Sequence, residues 1–360
     1  MQQTTQNPSA TPGTLPGQPK MLKAWFVAAW SHEVTRTPTV RQIYDVPLVL
    51  WRDSNGKVAC FLDRCPHRAV PLSMGKVVDD TLQCGYHGWR FDIAGNCNHV
   101  PGLIDQDKGA RGRCATSYSV MEQQGLVWIY MSPADTPDKP PFTFPWADKP
   151  GYTTVRQALQ TRGSVYQAIE NALDVPHTKF LHGGLFRQST VNNKVHVVIQ
   201  RWHDRCEAEF IGEPMPTGFV ARLISPSGGT VSHFDRFYLP CITEVEYRLG
   251  PENHLILTGA WTPVSDWETR LYAVVSLRTR VPGWLARAVI KPAALRVFAQ
   301  DAKLLNVQVN SIETFGAENY LNTEIDLLGP HILNLMKRVA KDQLADPSTQ
   351  PFRKELDMVI

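Results

Sequence analysis

Two short turns constrain this chain more than any other feature. Cys65-Pro66-His67 and Cys84-Gly85-Tyr86-His87 place two thiols and two imidazoles in turn-like stretches between strands, with residues 68–83 separating them. Two such loops, folded against each other, bring four ligands to one place. Two Cys and two His suit a single tetrahedral zinc. They also suit a [2Fe–2S] cluster with Cys65 and Cys84 on one iron and His67 and His87 on the other. Zinc fingers space like ligands in pairs, whereas each loop here supplies one thiol and one imidazole, and this favours the cluster.

The rest of the composition narrows the setting. The chain has 360 residues, which predicts two domains and a core that needs no disulfide staples. A net charge of +3, with no long basic run, excludes a nucleic-acid surface. No uncharged apolar stretch is long enough for a spanning helix. Residues 1–20 are polar, lack the apolar core of a secretion signal and predict a disordered leader on a cytoplasmic protein. Seven cysteines in such a chain point to metal or packing roles rather than bridges. Cys60, Cys97, Cys114, Cys206 and Cys241 lack ligand spacing and are expected to pack in cores.

Residues 21–132 read as short strands and turns. Pro47–Trp51 and Val58–Leu62 flank an Asn-Gly turn and predict a hairpin. Residues 133–150 hold six prolines and predict a stiff connector. Residues 151–341 change character. Tyr166–Leu173 predicts a helix broken at Pro176. Alternating runs from Val195 to Leu277 predict a larger antiparallel sheet. Trp284–Ser311 predicts a helix interrupted near Pro292. Residues 342–360 are polar and predict a flexible tail. The fold class is α+β, an all-β domain followed by an antiparallel sheet with helices.

A second constellation lies in this later part, in Asn171-Ala-Leu-Asp174-Val-Pro-His177-Thr-Lys-Phe-Leu-His182. His177 and His182 follow the expected helix break. Two neutral imidazoles and one carboxylate on one face of a metal form the ligand set of non-haem Fe(II) oxygenases. The pair alone is a weak signal; the Cys/His quartet upstream strengthens it. The carboxylate must come from far along the chain. Asp301 falls on the apolar stripe of Ala294, Val297, Phe298, Leu304 and Leu305, where a carboxylate is costly unless paired or metal-bound. Glu313 and Asp326 are the reserves. Asp174, three residues before His177, is positioned to orient a ligand imidazole.

Together these motifs resemble the oxygenase components of Rieske non-haem iron oxygenases. Cys65-Pro-His-Arg68 and Cys84-Gly-Tyr-His-Gly-Trp89 resemble their cluster motif. They differ from the respiratory type, whose extra cysteines correspond to Val70 and Tyr86 and whose serine corresponds to Trp89. Asn171 to His182 matches the iron motif N-x2-D-x2-H-x4-H. Length and single-chain design resemble the homotrimeric class of vanillate and dicamba O-demethylases and carbazole-type enzymes.

The resemblance implies a Rieske [2Fe–2S] cluster on Cys65, His67, Cys84 and His87, and a mononuclear Fe(II) on His177, His182 and Asp301 in a helix-grip-like domain. It places Asn171 near the iron. It implies that Asp174 bridges His177 of its own subunit and His87 of the next in a homotrimer. Electrons would come from a separate reductase and/or ferredoxin, because this chain has no dinucleotide-binding or plant-type ferredoxin motif. The implied activity is dioxygen-dependent hydroxylation or oxidative demethylation of an apolar, aromatic or polycyclic substrate. The alternative is a Rieske electron-transfer protein without oxygenase chemistry.

Overall fold

The computed structural model describes residues 17–106, 112–182, 193–213, 231–250, 253–316, 318 and 320–360. The first sixteen residues, most of the expected leader, lie outside them. The chain divides into two compact units, Lys20–Phe144 and Pro145–Ile360, the latter joined by the N-terminal residues up to Pro19. The proline-rich stretch 133–150 is thus shared between the units. Its first part belongs to the earlier unit because Phe144 is buried there, 6.1 Å from Trp128 by ring centroids, and because the Gln124 amide bonds both the N–H and the C=O of Phe144 at 2.8 Å.

The Lys20–Phe144 unit is built of three small antiparallel sheets. Strands β1 (Trp25–Trp30), β11 (Leu126–Tyr130) and β10 (Val120–Gln123) form one. A second holds β2 (Thr39–Ile43), β3 (Val46–Arg52), β4 (Val58–Leu62) and β9 (Ser117–Tyr118). The β3–β4 hairpin matches the sequence expectation, although its loop closes between Asp53 and Lys57 (N···O 3.0 Å) rather than as a two-residue turn. The third sheet, β5 (Lys76–Val78), β6 (Thr81–Gln83), β7 (Arg90–Phe91) and β8 (Cys97–His99), carries the second Cys/His loop between β6 and β7. Cys65 and Cys84 are part of the apolar core formed by Trp51, Phe61, Leu72, Leu82 and Phe91. Cys60 is buried as expected, but Cys114 is exposed. It sits at an isolated bridge to Asn96 on the surface.

The later unit is an eight-stranded antiparallel sheet in the order β12-β18-β17-β16-β15-β14-β13-β19. The strands are β12 (Thr153–Arg162), β13 (Lys194–Arg201), β14 (Arg205–Ile211), β15 (Val231–Tyr238), β16 (Ile242–Leu249), β17 (Asn253–Ser265), β18 (Glu268–Arg278) and β19 (Phe352–Val359). Among the described residues four helices accompany them: α1 (Val165–Ala172), α2 (His177–Leu181), α3 (Gly283–Phe315) and α4 (Gly329–Ala340). Helix α1 begins at a reciprocal cap, in which Ser164 Oγ accepts from the Gln167 N–H and Gln167 Oε1 from the Ser164 N–H.

Two expectations are corrected. The tail does not fray over Phe352–Val359: it pairs residue for residue with β13 as the sheet edge, with Met358 and Ile360 buried. Its polar residues are the solvent face of an edge strand. Helix α3 also runs through Pro292 without interruption. The carbonyl freed by the missing N–H belongs to Ala288, which is exposed like Pro292, so water can satisfy it. Along α3 the buried stripe is Ala286, Ile290, Leu305, Val309 and Ile312; Leu304 is exposed.

Candidate metal centres

The two Cys/His loops are the same turn built twice. Cys65 N–H donates to Val70 C=O and Cys84 N–H to Trp89 C=O, both at 2.8 Å. Ala69 N–H returns to Cys65 C=O at 2.9 Å and Gly88 N–H to Cys84 C=O at 3.1 Å. The fifth residue of each turn is left-handed, Ala69 at φ 58° and Gly88 at φ 72°. The second loop lies so close to the turn before β5 that a Cβ on Gly85 would come within 2.7 Å of Met74 O. Side-chain bulk is excluded there, which lets the second loop pack against that turn.

The thiols point inward and the imidazoles outward. Cys65 and Cys84 are buried, His67 is half-buried and His87 exposed. The His67 and His87 rings are 4.6 Å apart, and Trp89 stacks on His67 at 4.6 Å and 7°. Burial pushes the Cys65 thiol up to about 11. His67 lies below its ordinary range, through partial burial and then the charges of His87 and Arg68.

These donors fit a [2Fe–2S] cluster. Thiols buried in an apolar core gain their anionic form only beside a cation, and the buried Nδ1 of His67 has no hydrogen-bond partner. A single zinc would need all four ligand atoms around one point. Among the described residues one group of three or more metal-ligating side chains converges in that way, and it is not this quartet.

That group is His177, His182 and Asp301, whose ligand atoms lie within 4.8 Å of one another. Helix α1 ends at Ala172, with Leu173 at its C-cap, and Pro176 occupies the N-cap position of α2. His177 therefore opens α2 and His182 closes it, and both rings turn toward α3. The Nε2 atoms are 3.2 Å apart; Asp301 Oδ1 is 3.0 Å from His182 Nε2 and 3.7 Å from His177 Nε2. Ligands about 2.1 Å from one ion, at adjacent tetrahedral or octahedral positions, lie roughly 3.0–3.4 Å from each other, so the triangle fits one ion. Asp301 Oδ1 is buried without an aligned hydrogen bond, despite its nearness to both rings. Burial would raise this carboxyl, but His177 and His182 outweigh it and hold it below the usual range.

Neighbours orient the imidazoles. His182 donates Nδ1–H to Gln300 Oε1 at 2.9 Å, which turns Nε2 toward Asp301 and the metal position. His177 Nδ1 is 3.4 Å from Asp174 Oδ2, a charge contact without hydrogen-bond alignment, and the same oxygen accepts from the His177 backbone N–H at 3.2 Å. Burial lowers His177, yet Asp174 and Asp301 bring it up to about 9 while no metal competes. Asn171 is buried and lines the adjoining cavity. The reserves Glu313 and Asp326 lie elsewhere. Glu313 pairs with Arg162 at 2.6 Å, and Asp326 accepts from the Thr323 hydroxyl at 3.0 Å. Gln300 was not legible from sequence.

The cavity has a volume of about 310 Å³ and opens onto the triad. Its wall is mainly apolar, with Leu159, Leu249, Leu257, Trp261, Val275 and Phe298 contributing.

Comparison with known proteins matches residues 24–108 to the Rieske [2Fe-2S] domain and residues 163–342 to the vanillate O-demethylase oxygenase C-terminal domain. The chain is 32% identical to the dicamba O-demethylase oxygenase component of Stenotrophomonas maltophilia, over 68% of this chain and 62% of that one. It is 26% identical to the vanillate O-demethylase oxygenase subunit of a Pseudomonas species, over 90% of this chain and 96% of that one. It is 28% identical to the chloroplast protein TIC 55 of Arabidopsis thaliana over 74% of its own length, but spans only about half, 49%, of that relative. Among solved structures, dicamba monooxygenase bound to 3,6-dichlorosalicylic acid superposes with a TM-score of 0.76 at 22% identity, covering 91% of this chain and 99% of the other. NdmB of Pseudomonas putida CBB5 superposes with a TM-score of 0.74 at 19% identity, covering 96% and 100%. At these identities the superpositions speak for the fold.

Proposed function

We infer the activity from the family: the chain belongs to the Rieske non-haem iron oxygenases with a vanillate O-demethylase-type C-terminal domain, and it acts as the terminal oxygenase component of a multi-component system. The observation that carries this reading is the triangle of His177 Nε2, His182 Nε2 and Asp301 Oδ1 at the mouth of a cavity of about 310 Å³. A Rieske protein that only relayed electrons would need neither. When bound, the cluster supplies electrons singly and the mononuclear iron supplies dioxygen activation.

The chain's own residues do the rest. Cys65 and Cys84 would hold the inner iron of the cluster, and His67 and His87 the outer one. His177, His182 and Asp301 would occupy one face of the mononuclear iron and leave the other open. Gln300 fixes the tautomer of His182. Asp174, beside His177, bridges to His87 of the next copy in a homotrimer and links the two sites. The apolar wall seats the substrate and keeps water out. The substrate is an apolar, aromatic or polycyclic molecule, a class supported by relatives named for dicamba and vanillate. Hydroxylation or oxidative demethylation is the reaction, with a separate reductase and/or ferredoxin as electron donor. No helix among the described residues is long and apolar enough to cross a membrane; a cytoplasmic setting goes with this reading.

The test is a single turnover of chemically reduced, iron-loaded protein with isotopically labelled dioxygen and a panel of methoxy- and methyl-aromatics. Label in a hydroxylated product, or formaldehyde from a methoxy compound, is the expected result. Cluster reoxidation that is identical with and without every compound, and yields no product, would favour the electron carrier.

A further inference from the structure

Several polar side chains in the cavity wall already have partners. Thr161 and Thr178 donate their hydroxyls to the carbonyls of Arg162 and Val175, at 3.0 and 2.7 Å. Glu213 Oε2 lies 2.6 Å from Nδ1 of the buried His233, whose other ring nitrogen lies 3.0 Å from Asp235 Oδ1. Thr258 pairs with Glu244, so its side chain belongs to the opposite sheet face from Thr243. Thr243 differs from all of these. Its Oγ1 accepts the indole N–H of Trp261 at 2.9 Å, and among the described residues no acceptor takes the hydroxyl proton in return.

Strand register accounts for this placement. Thr243 on β16 stands opposite Gly259 on β17, and Gly259 opposite Ala273 on β18. This low row crosses the wall between two bulkier pairs, Leu257–Val275 on one side and Trp261–Leu271 on the other. Glycine is needed at 259 because of close approach. A Cβ there would come within 2.8 Å of Thr243 Oγ1 and 2.9 Å of both Trp261 Nε1 and Leu271 Cδ1. The missing side chain makes the room in which the indole N–H reaches the hydroxyl.

Thr243 is 4% exposed and Trp261 7%. A hydroxyl carries one donor and two acceptor positions, and burying the donor unused is costly. The indole fixes one lone pair of Oγ1 and leaves the O–H to turn toward the cavity that Thr243 lines. A hydroxyl that already accepts a hydrogen bond is also a stronger donor.

We propose that Thr243 is a specificity-determining residue, whose hydroxyl, held by Trp261, donates to a carbonyl or ether oxygen on a ring system lying over the Gly259–Ala273 row. The proposal rests on the reading of this cavity as the oxygenase substrate pocket. It narrows that reading, since among apolar rings of one size Thr243 favours those that carry an acceptor oxygen.

Three probes with one bicyclic frame test it: 1-indanone, 2-indanone and indane. Their binding to the anaerobic, iron-loaded full chain is measured by titration calorimetry, so no turnover is required. Thr243→Val keeps the branched shape and removes the hydroxyl. It should weaken at least one indanone by about three- to tenfold and leave indane within about twofold. Thr243→Ser keeps the hydroxyl and should shift indanones and indane alike. The same series in a Trp261→Phe background removes the indole N–H as a substitute donor. Failure of both indanones to bind wild type, no selective loss with valine in either background, or a serine variant that loses the indanones as valine does would each overturn the proposal. Rieske absorption and iron content of the same samples judge the oxygenase reading separately.

Discussion

His233→Gln removes the positive centre of the buried Glu213–His233–Asp235 cluster and leaves two carboxylates facing a neutral amide. The cost follows from the fold. His233 rises from 6.5 to about 9 in the native state, and a shift of that size corresponds to about 3 kcal/mol of stability at neutral pH. A raised native value means the contribution is complete below pH 6.5, shrinks as pH climbs and is gone above about 9. Removing one partner of a buried charge pair gives a similar figure, about 3–5 kcal/mol, by an independent route. For a unit of this size each kcal/mol moves the melting temperature by about 2–4 °C, so the variant should melt roughly 6–12 °C lower at pH 7. The assay is calorimetric melting of both proteins at one scan rate from pH 6 to pH 10, with iron content matched. The gap should close toward pH 10, because wild type loses what the variant never had. Loss of packing alone would give a gap independent of pH. That result, or a variant melting with wild type at pH 7, refutes the charge assignment.

Asp301→Ala should retain the Rieske absorption while weakening mononuclear iron binding by about 100-fold or more, and Gln300→Leu should weaken it by about tenfold; iron analysis after desalting checks both. Undiminished iron in Asp301→Ala would place the third ligand elsewhere. Asp174→Asn should keep both metals yet slow the single turnover by about tenfold or more, and a normal rate would remove Asp174 from the electron path. Ending the chain at Pro351 removes β19, with the buried Met358 and Ile360, and leaves β13 an open sheet edge. It should cost roughly 4 kcal/mol and cause concentration-dependent association, visible by light scattering.

What could be read from the sequence divides by the range of the interactions involved. The Cys/His quartet and the Asn171–His182 string were legible because each loop or helix break supplies its ligands locally, and nothing beyond a turn is needed to aim them. Asp301 lies far from its partners, yet it was still legible. A carboxylate on a helical stripe that also carries Val297 and Leu305 needs a reason to be there, and the structure supplies two imidazoles.

What escaped the sequence depended on strand register or on which element covers which. Glu213, His233 and Asp235 look like ordinary strand and loop polars until β14 and β15 are aligned. Only then does His233 fall opposite Phe210 and Tyr247, with a carboxylate at each nitrogen. Gln300 resembles any surface amide until His182 is placed against α3. The tail did carry a signal that its polarity hid. Leu356, Met358 and Ile360 alternate with charged or exposed neighbours, the period of a strand with one buried face. An edge strand needs charge on its open side to avoid pairing with other chains. The residues that made this segment look disordered are therefore the ones that let it close the sheet.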